Sequence, residues 1–104
     1  MQWSDLVSQC EGFEWDKGNS SKSWLKHGVT PGEAEQAFFN EPSVLWADQK
    51  HSGQEDRFLV LGYTDQGRLL FIVFTVRKNL VRVISARNMN KKERDAYEKF
   101  KTRA

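Results

Sequence analysis

The sequence predicts one α+β domain, in which an antiparallel β-sheet is flanked by two N-terminal helices and one C-terminal helix. The chain has 104 residues, which is enough for one compact domain with its own core. Apolar residues follow helical spacing in the first half and at the end of the chain, but alternate or run together between residues 57 and 87. Aromatic residues make up 12% of the chain, a share that argues against disorder.

The first half of the chain predicts one strand and two helices. Gly12–Trp15 alternates between apolar and polar residues, as a short strand does. Lys17–His27 has the features of a helix, and Gly28 follows as its stop signal. The stretch from Thr30 to Glu33 supplies an N-cap hydroxyl, a proline at the first helical position and a capping-box carboxylate, so a second helix is expected to run to Asn40.

The second half predicts four strands and a final helix, giving the order β-α-α-β-β-β-β-α. The Leu69–Phe74 strand is apolar on both faces, which is typical of a central strand covered on both sides. The other expected elements are strands at Ser43–Ala47, Arg57–Thr64 and Leu80–Arg87, and a helix from Lys91 to about Thr102. We expect residues 11–104 to form the domain and residues 1–10 to be an N-terminal extension.

Composition narrows the class of protein. A single cysteine, Cys10, excludes an internal disulfide framework and a cysteine-rich zinc site. The longest apolar run is far shorter than the ~20 residues of a membrane span, and the N-terminus lacks the basic region of a secretory signal. We therefore expect a cytoplasmic protein that does not enter a membrane.

Charge is distributed very unevenly. Residues 1–56 hold four lysines against ten carboxylates, a net charge of −6, whereas residues 57–104 hold seven arginines and five lysines against four carboxylates, a net charge of +8. Such asymmetry suggests that the basic half binds a polyanion, usually a nucleic acid. The alternative is that the acidic half folds against the basic half and neutralises it.

Most catalytic motifs are missing. The chain has no glycine-rich phosphate loop, no G-x-S-x-G and no H-E-x-x-H, and no cofactor is expected. Two histidines cannot form a histidine-rich metal site, although a site built on Asp48 and His51 remains open. The remaining Arg, Lys and His residues suit metal-independent cleavage of RNA, because the substrate's own 2′-hydroxyl is the nucleophile and the protein only moves protons and stabilises charge.

Several short stretches between residues 12 and 99 form one ordered pattern. They are Phe13-Glu14-Trp15-Asp16, Lys26-His27-Gly28-Val29, Glu33-Ala34, Asp48 and His51 ahead of Glu55-Asp56-Arg57-Phe58, Gly67-Arg68-Leu69-Leu70, Arg82-Val83-Ile84-Ser85-Ala86-Arg87, and Lys92-Glu93-Arg94 with Tyr97-Glu98. In order and spacing, these stretches resemble the BrnT toxin family. The chain departs from the family at Ser23, where many members have Asn, and in the additional segment that ends at Cys10.

The resemblance implies a RelE-like fold and a ribonuclease toxin of a type II toxin–antitoxin system, which cleaves RNA and inhibits translation. It also implies an RNA substrate and a BrnA-like antitoxin, with which the toxin forms a hetero-oligomer. The alternative is a non-catalytic module of the same fold that binds RNA or the antitoxin.

Six residues are candidates for catalysis. Lys26 is expected to bind phosphate and His27 to transfer protons, although both could simply stabilise the end of a helix. His51 is a second proton-transfer candidate in a polar loop, and Tyr97 is a core residue whose hydroxyl is expected to reach the site. The last two are Arg57 and Arg87.

Arg57 and Arg87 are expected to hold the scissile phosphate. Arg57 shares a predicted strand face with three apolar residues, where a long cation has either a functional role or a position at the sheet edge. Arg87 is expected on the face of Val81, Val83 and Ser85. If the two arginines lie on neighbouring strands and point the same way, they can clamp one phosphate between them.

Other charged and aromatic residues have weaker signals. Four basic residues are candidates for contacts with the RNA backbone, although solvated surface is the commoner role: Arg82, which is expected on the opposite face from Arg87, and Lys91, Lys92 and Arg94. Glu93 either closes a capping box with Asn90 or acts in catalysis. Trp24 and Trp46 either stack on bases or pack in the core or the antitoxin interface.

Overall fold

The structure is a computed structural model that describes residues 9–21, 26–48 and 55–103. Its described elements, in chain order, are β1 (Gly12–Phe13), α1 (Pro31–Phe39), β2 (Val44–Ala47), β3 (Phe58–Tyr63), β4 (Leu69–Arg77), β5 (Leu80–Asn88) and α2 (Lys91–Arg103). The α+β class is therefore confirmed. The RelE-like topology and the domain boundary after residue 10 stay predictions.

The five strands form one mixed sheet in the order β1-β5-β4-β3-β2. The strands β2 to β5 are antiparallel to their neighbours, but β1 runs parallel to β5, with Gly12 opposite Leu80. The prediction of an antiparallel sheet is thus wrong at β1, because pairing between strands far apart in the sequence leaves no local signal. The prediction that the apolar strand is central is confirmed, since β4 lies between β3 and β5.

The part of the chain that the structure describes contains two helices rather than three. Residues 17–21 form turns, so the predicted helix does not begin at Lys17, although Lys26 and His27 are helical. Residues 22–25, which include Trp24, lie outside the described residues.

Local side-chain hydrogen bonds explain the turn after β1. The Asp16 carboxylate accepts from the Gly18 N–H at 2.7 Å, and the Asn19 side-chain oxygen accepts from the Asp16 N–H at 2.8 Å. Buried Asn19 also donates to the carbonyls of Glu14 and Val83. These bonds offer the backbone an alternative to helical pairing and fasten the turn to β5.

The start of α1 agrees with its prediction. The Thr30 hydroxyl accepts from the Glu33 N–H at 3.1 Å, and the Glu33 carboxylate accepts from the Thr30 N–H at 3.0 Å, which completes a capping box. Ala34, Ala37 and Phe38 then point at the sheet and are buried.

The sheet has an inner face, covered by α1, and an outer face, partly covered by α2. The inner face carries the main core, which includes Val60, Leu70, Ile72, Phe74, Val81, Val83 and Ala86. On the outer face a smaller core joins Leu61, Met89 and Tyr97 of α2, with Tyr63 and Leu69 at its margin. Thus α2 covers only the end of the outer face where β3 ends and β4 begins.

A β-bulge in β5 changes which side chains share a face. Val73 pairs with Ser85, but the next residue of β4, Phe74, pairs with Val83, so Ile84 is the additional residue. Arg82, Ser85 and Arg87 therefore lie on the outer face together, because they pair with Thr75, Val73 and Phe71. The expectation that Arg82 and Arg87 lie on opposite faces is wrong, since strict alternation cannot anticipate a bulge.

Ion pairs between described residues join the acidic half of the chain to the basic half. Arg68 pairs with Glu33, Arg77 with Glu55, and Arg82 with both Glu14 and Asp16. Folding therefore neutralises part of the charge asymmetry, whereas Arg87 pairs with Glu93 of its own half. None of the described helices is long and apolar enough to span a membrane.

The helix α1 lies very close to the sheet at Gly62 of β3. A Cβ atom at this buried position would overlap the backbone carbonyl of Ala37. We expect Gly62→Ala to lower the free energy of unfolding by about 1–3 kcal/mol, because α1 and β3 would have to move apart. Gly32→Ala is the matched control, since a Cβ there meets nothing within 4 Å. Urea denaturation measures both variants, and equal stabilities would contradict this account of the packing.

Candidate active site

An open groove of about 320 Å³ lies on the part of the outer face that α2 leaves uncovered. Its lining residues come from β3, β4 and β5 and from the segments next to β2 and β3; they are Asp48, Arg57, Leu59, Phe71, Val73, Ile84 and Ser85. Leu59 pairs with Val73, and Val73 pairs with Ser85, so the groove floor crosses three adjacent strands. The groove thus combines an apolar floor with two charged residues at its β2–β3 end.

Arg57 and Arg87 lie on the same side of the sheet but not on neighbouring strands. Arg57 directly precedes β3, Arg87 is in β5, and β4 lies between them. Arg57 is one residue beyond the Phe58–Phe74 pair, whereas Arg87 pairs with Phe71. Standard strand spacing and rise place their Cα atoms about 16 Å apart. The two arginines therefore flank the groove diagonally, and the expected clamp from neighbouring strands is wrong.

Arg87 is held in a defined orientation. Its guanidinium lies over the Phe71 ring, 4.2 Å from the ring centroid. The Glu93 carboxylate accepts two hydrogen bonds from it, at 2.8 and 2.9 Å. The Arg87 side chain is still 35% exposed, so a ligand can reach it. This bidentate pairing fixes the plane of the cation beside the groove.

Glu93 has the capping role, which is one of the two alternatives that the sequence left open for it. It closes the capping box of α2, accepting from the Asn90 N–H at 2.9 Å while the Asn90 side chain accepts from the Glu93 N–H at 2.8 Å. Burial disfavours the charge of Glu93, but the hydrogen bonds from Arg87 and Asn90 outweigh it and lower the pKa of this carboxyl. Glu93 is therefore a charged partner that orients Arg87.

Arg82 lies on the outer face but is already engaged. It donates to Glu14 at 2.8 Å and to both carboxylate oxygens of Asp16 at 2.9 and 3.1 Å, and its side chain is only 15% exposed. The hydrogen bond from Arg82 holds the pKa of Asp16 below its ordinary value. This network argues that Arg82 attaches the turn after β1 to the sheet and does not bind substrate.

Arg68 connects the segment that contains Lys26 and His27 to the end of β5. The Arg68 guanidinium donates to the carbonyls of His27 and Gly28 at 3.0 and 2.8 Å, and to the Asn88 side chain at 2.7 Å. Asn88 is the chain neighbour of Arg87. Arg68 thus places the Lys26–His27 backbone near the end of β5 that carries Arg87.

Tyr97 has a structural position. It is completely buried, its hydroxyl donates to the Pro42 carbonyl at 2.6 Å, and burial raises its pKa to about 12. A hydroxyl that is shielded and already donating cannot readily exchange protons with a substrate. The structure therefore argues against the expected catalytic role of Tyr97.

The basic residues at the start of α2 differ in their contacts. Arg94 donates to the Met89 carbonyl at 3.0 Å, whereas Lys91 and Lys92 are exposed in the first turn of α2. Lysines are disfavoured at a helix N-terminus by the helix dipole. Their position follows Arg87 closely along the chain, so they extend the basic surface beyond the groove.

His51 lies outside the described residues, and Trp46 is placed only by its backbone, opposite Leu59 in the β2–β3 pair. Within the described ranges 9–21, 26–48 and 55–103, no three His, Cys, Asp or Glu residues are grouped closely enough to hold a metal ion.

Sequence reasoning missed the lining residues Phe71 and Ser85 and the connecting residue Arg68. Phe71 belongs to a run that is apolar on both faces, which conceals the fact that part of the outer face is uncovered. Arg68 carries a signal, because it is a charged residue directly before an apolar strand in one of the stretches that resemble the BrnT family.

The Arg87–Glu93 pair predicts a pH-dependent stability. A carboxyl whose pKa is lower in the folded protein stabilises the fold above its unfolded pKa of about 4.3, and this contribution is lost as the pH falls through the folded pKa. We expect Glu93→Gln to lower the free energy of unfolding by about 1–2 kcal/mol at pH 7 and by much less near pH 3. Glu98→Gln, at an exposed position of α2, is the control for urea denaturation at both pH values. A Glu93→Gln effect that does not depend on pH would contradict the ionic contribution.

Comparison with known proteins agrees with this arrangement. Residues 15–93 match the family described as the ribonuclease toxin, BrnT, of type II toxin–antitoxin systems. The matched span runs through α1 and all of β2 to β5, and contains the complete groove together with Arg87 and Glu93. No curated protein matches the chain. The family match confirms the resemblance seen in the sequence: the chain belongs to the BrnT family of type II toxin–antitoxin ribonuclease toxins.

Proposed function

We propose that this protein is an endoribonuclease that cleaves RNA in the outer-face groove without a metal ion. The observation that carries this proposal is the placement of Arg57 and Arg87 diagonally across the groove, with Arg87 oriented by Glu93. Arginine binds phosphate through several directed hydrogen bonds, and a fixed cation stabilises the charge that develops on a reacting phosphate. Membership of a ribonuclease toxin family supports the same reaction class.

The reaction begins in the substrate. Its 2′-hydroxyl oxygen attacks the adjacent phosphorus, the bond from phosphorus to the 5′ oxygen breaks, and the products are a 2′,3′-cyclic phosphate and a 5′-hydroxyl. Arg87 and Arg57 stabilise the negative charge on the phosphorane and on the neighbouring phosphates of the strand. The backbones of Arg57 and Arg87 are too far apart for both side chains to bind the same phosphate oxygen. We therefore propose that the two arginines contact successive phosphates of one RNA strand.

The reaction also needs one group to accept the 2′-hydroxyl proton and another to donate a proton to the leaving 5′ oxygen. His27 and His51 are the proposed groups, because histidine exchanges protons near neutral pH, and Lys26 is proposed to bind phosphate beside His27. Asp48 lines the groove and is a further proton acceptor by position. Lys91 and Lys92 are proposed to hold the RNA backbone beyond the groove.

Membership of the family also supports a cellular function. We propose that RNA cleavage by this chain inhibits translation in the cytoplasm, and that a BrnA-like antitoxin neutralises it in a toxin–antitoxin hetero-oligomer. The acidic first half, with ten carboxylates in residues 1–56, is the proposed surface for a basic segment of that partner.

Cleavage of a labelled single-stranded RNA tests the proposed reaction. We expect Arg87→Ala to lower the rate by about 10²–10³-fold, because one fixed cation is removed from the reacting phosphate, and wild-type cleavage to persist in EDTA. Lys101→Ala, which removes an exposed cation from the far end of α2, is the control and should retain the wild-type rate.

Loss of cleavage in EDTA would contradict the metal-independent mechanism, and full activity of Arg87→Ala would remove Arg87 from it. If the wild-type protein binds RNA but no cyclic phosphate forms, the chain is the non-catalytic module. Circular dichroism of each variant verifies that the fold is intact.

A further inference from the structure

The groove floor is more apolar than phosphate binding requires. Four of its seven lining residues are hydrophobic: Leu59, Phe71, Val73 and Ile84. All four are half-buried. Phe71 packs against the cluster of Leu61, Met89 and Tyr97, whereas among the described residues Leu59, Val73 and Ile84 belong to neither core cluster. A phosphate gains nothing from an apolar surface, so the floor needs a different occupant.

The charge around the floor indicates the chemistry of that occupant. Arg57 lines one end, and Arg87 stands over Phe71 on the other side of β4. A ligand that fits both features has an apolar planar part for the floor and anionic groups for the two arginines. A nucleotide within an RNA strand has this combination, because its base is planar and its phosphates are charged.

We infer that the groove seats one unpaired nucleobase of a single-stranded RNA, with the adjoining phosphates at Arg57 and Arg87. The base packs on the aliphatic surface of Leu59, Val73 and Ile84, beside the Phe71 ring. This inference rests on the proposed function for its substrate class. It adds that the protein selects single strands, since the bases of a duplex are stacked and paired and cannot enter the groove.

The size of the groove agrees with one base. Its volume of about 320 Å³ lies at the lower end of the range of small-molecule sites, which is about 300–1,000 Å³. Ser85 and Asp48 add a hydroxyl and a carboxylate to the lining. These groups can exchange hydrogen bonds with the polar edge of a base while its face rests on the apolar floor.

A non-cleavable probe separates binding from catalysis. A fluorescently labelled single-stranded 2′-O-methyl oligonucleotide lacks the attacking hydroxyl, so its dissociation constant does not depend on the reaction. We expect it to bind at least about tenfold more tightly than the same strand in a duplex, because only the single strand can place a base against the groove floor.

Two variants of the floor test the position of the base. Val73→Thr keeps the shape and adds a hydroxyl, and Ser85→Ile fills the groove with a strand-forming side chain. We expect each variant to raise the dissociation constant of the probe by about fivefold or more. Val76→Thr makes the same isosteric change on the inner side of β4 and should bind like the wild type.

The salt dependence of binding distinguishes base contacts from phosphate contacts. The floor variants should keep the wild-type slope of log K against log salt, whereas Arg87→Ala should reduce the slope by about 1, because it removes one phosphate contact. A floor variant that weakens binding only by reducing the slope would contradict a base seat.

The results also separate this inference from the proposed function. If wild-type protein cleaves RNA but both floor variants bind the probe normally, the base seat is wrong and the ribonuclease stands. If the probe binds as expected but RNA is never cleaved, the seat stands without the enzyme. Equal affinity for the single strand and the duplex would contradict the proposed base site. A floor variant that loses only antitoxin binding would also contradict it, because the groove would then be part of the antitoxin interface.

Discussion

The structure depends on one constraint: β4 is apolar on both faces and must be covered on both sides. Its inner face is covered by α1 through Ala34, Ala37 and Phe38, and this packing leaves no gap at Gly62. Within residues 9–21, 26–48 and 55–103, its outer face is covered only near the Leu61–Met89–Tyr97 cluster, because α2 is attached at the end of β5 and crosses one end of the sheet. The groove lies on the part of that face that α2 does not reach. The position of the candidate site is therefore a direct result of how far α2 reaches.

Local signals in the sequence were enough to predict most elements. The capping box at Thr30 and Glu33, the central position of β4 and the start of α2 at Lys91 all depend on short-range chemistry, and the structure shows each of them. The parallel pairing of β1 and the turn at residues 17–21 were not predicted. The first depends on contact between distant parts of the chain, and the second on hydrogen bonds of Asp16 and Asn19 that compete with a helix.

The candidate site was predictable in its residue types but not in its geometry. Arg57 and Arg87 were identified because charged residues in apolar strands need a reason, and both border the groove. Their separation by β4 and the shared face of Arg82 and Arg87 depend on strand order and on the bulge at Ile84, neither of which leaves a periodic signal. Phe71 was not predicted as a lining residue, because an aromatic residue in a strand that is apolar on both faces has the sequence pattern of a core residue.

Glu93 links the first turn of α2 to the guanidinium of Arg87 through two hydrogen bonds. The same Glu93 oxygen accepts from the Asn90 N–H and from Arg87, so the first turn of α2 and the orientation of the guanidinium share one carboxylate. Fraying of that turn and rotation of Arg87 away from Phe71 are therefore coupled, because each breaks a hydrogen bond to the same oxygen. A change that tightens or loosens the start of α2 consequently alters how firmly Arg87 is oriented, without any contact inside the groove.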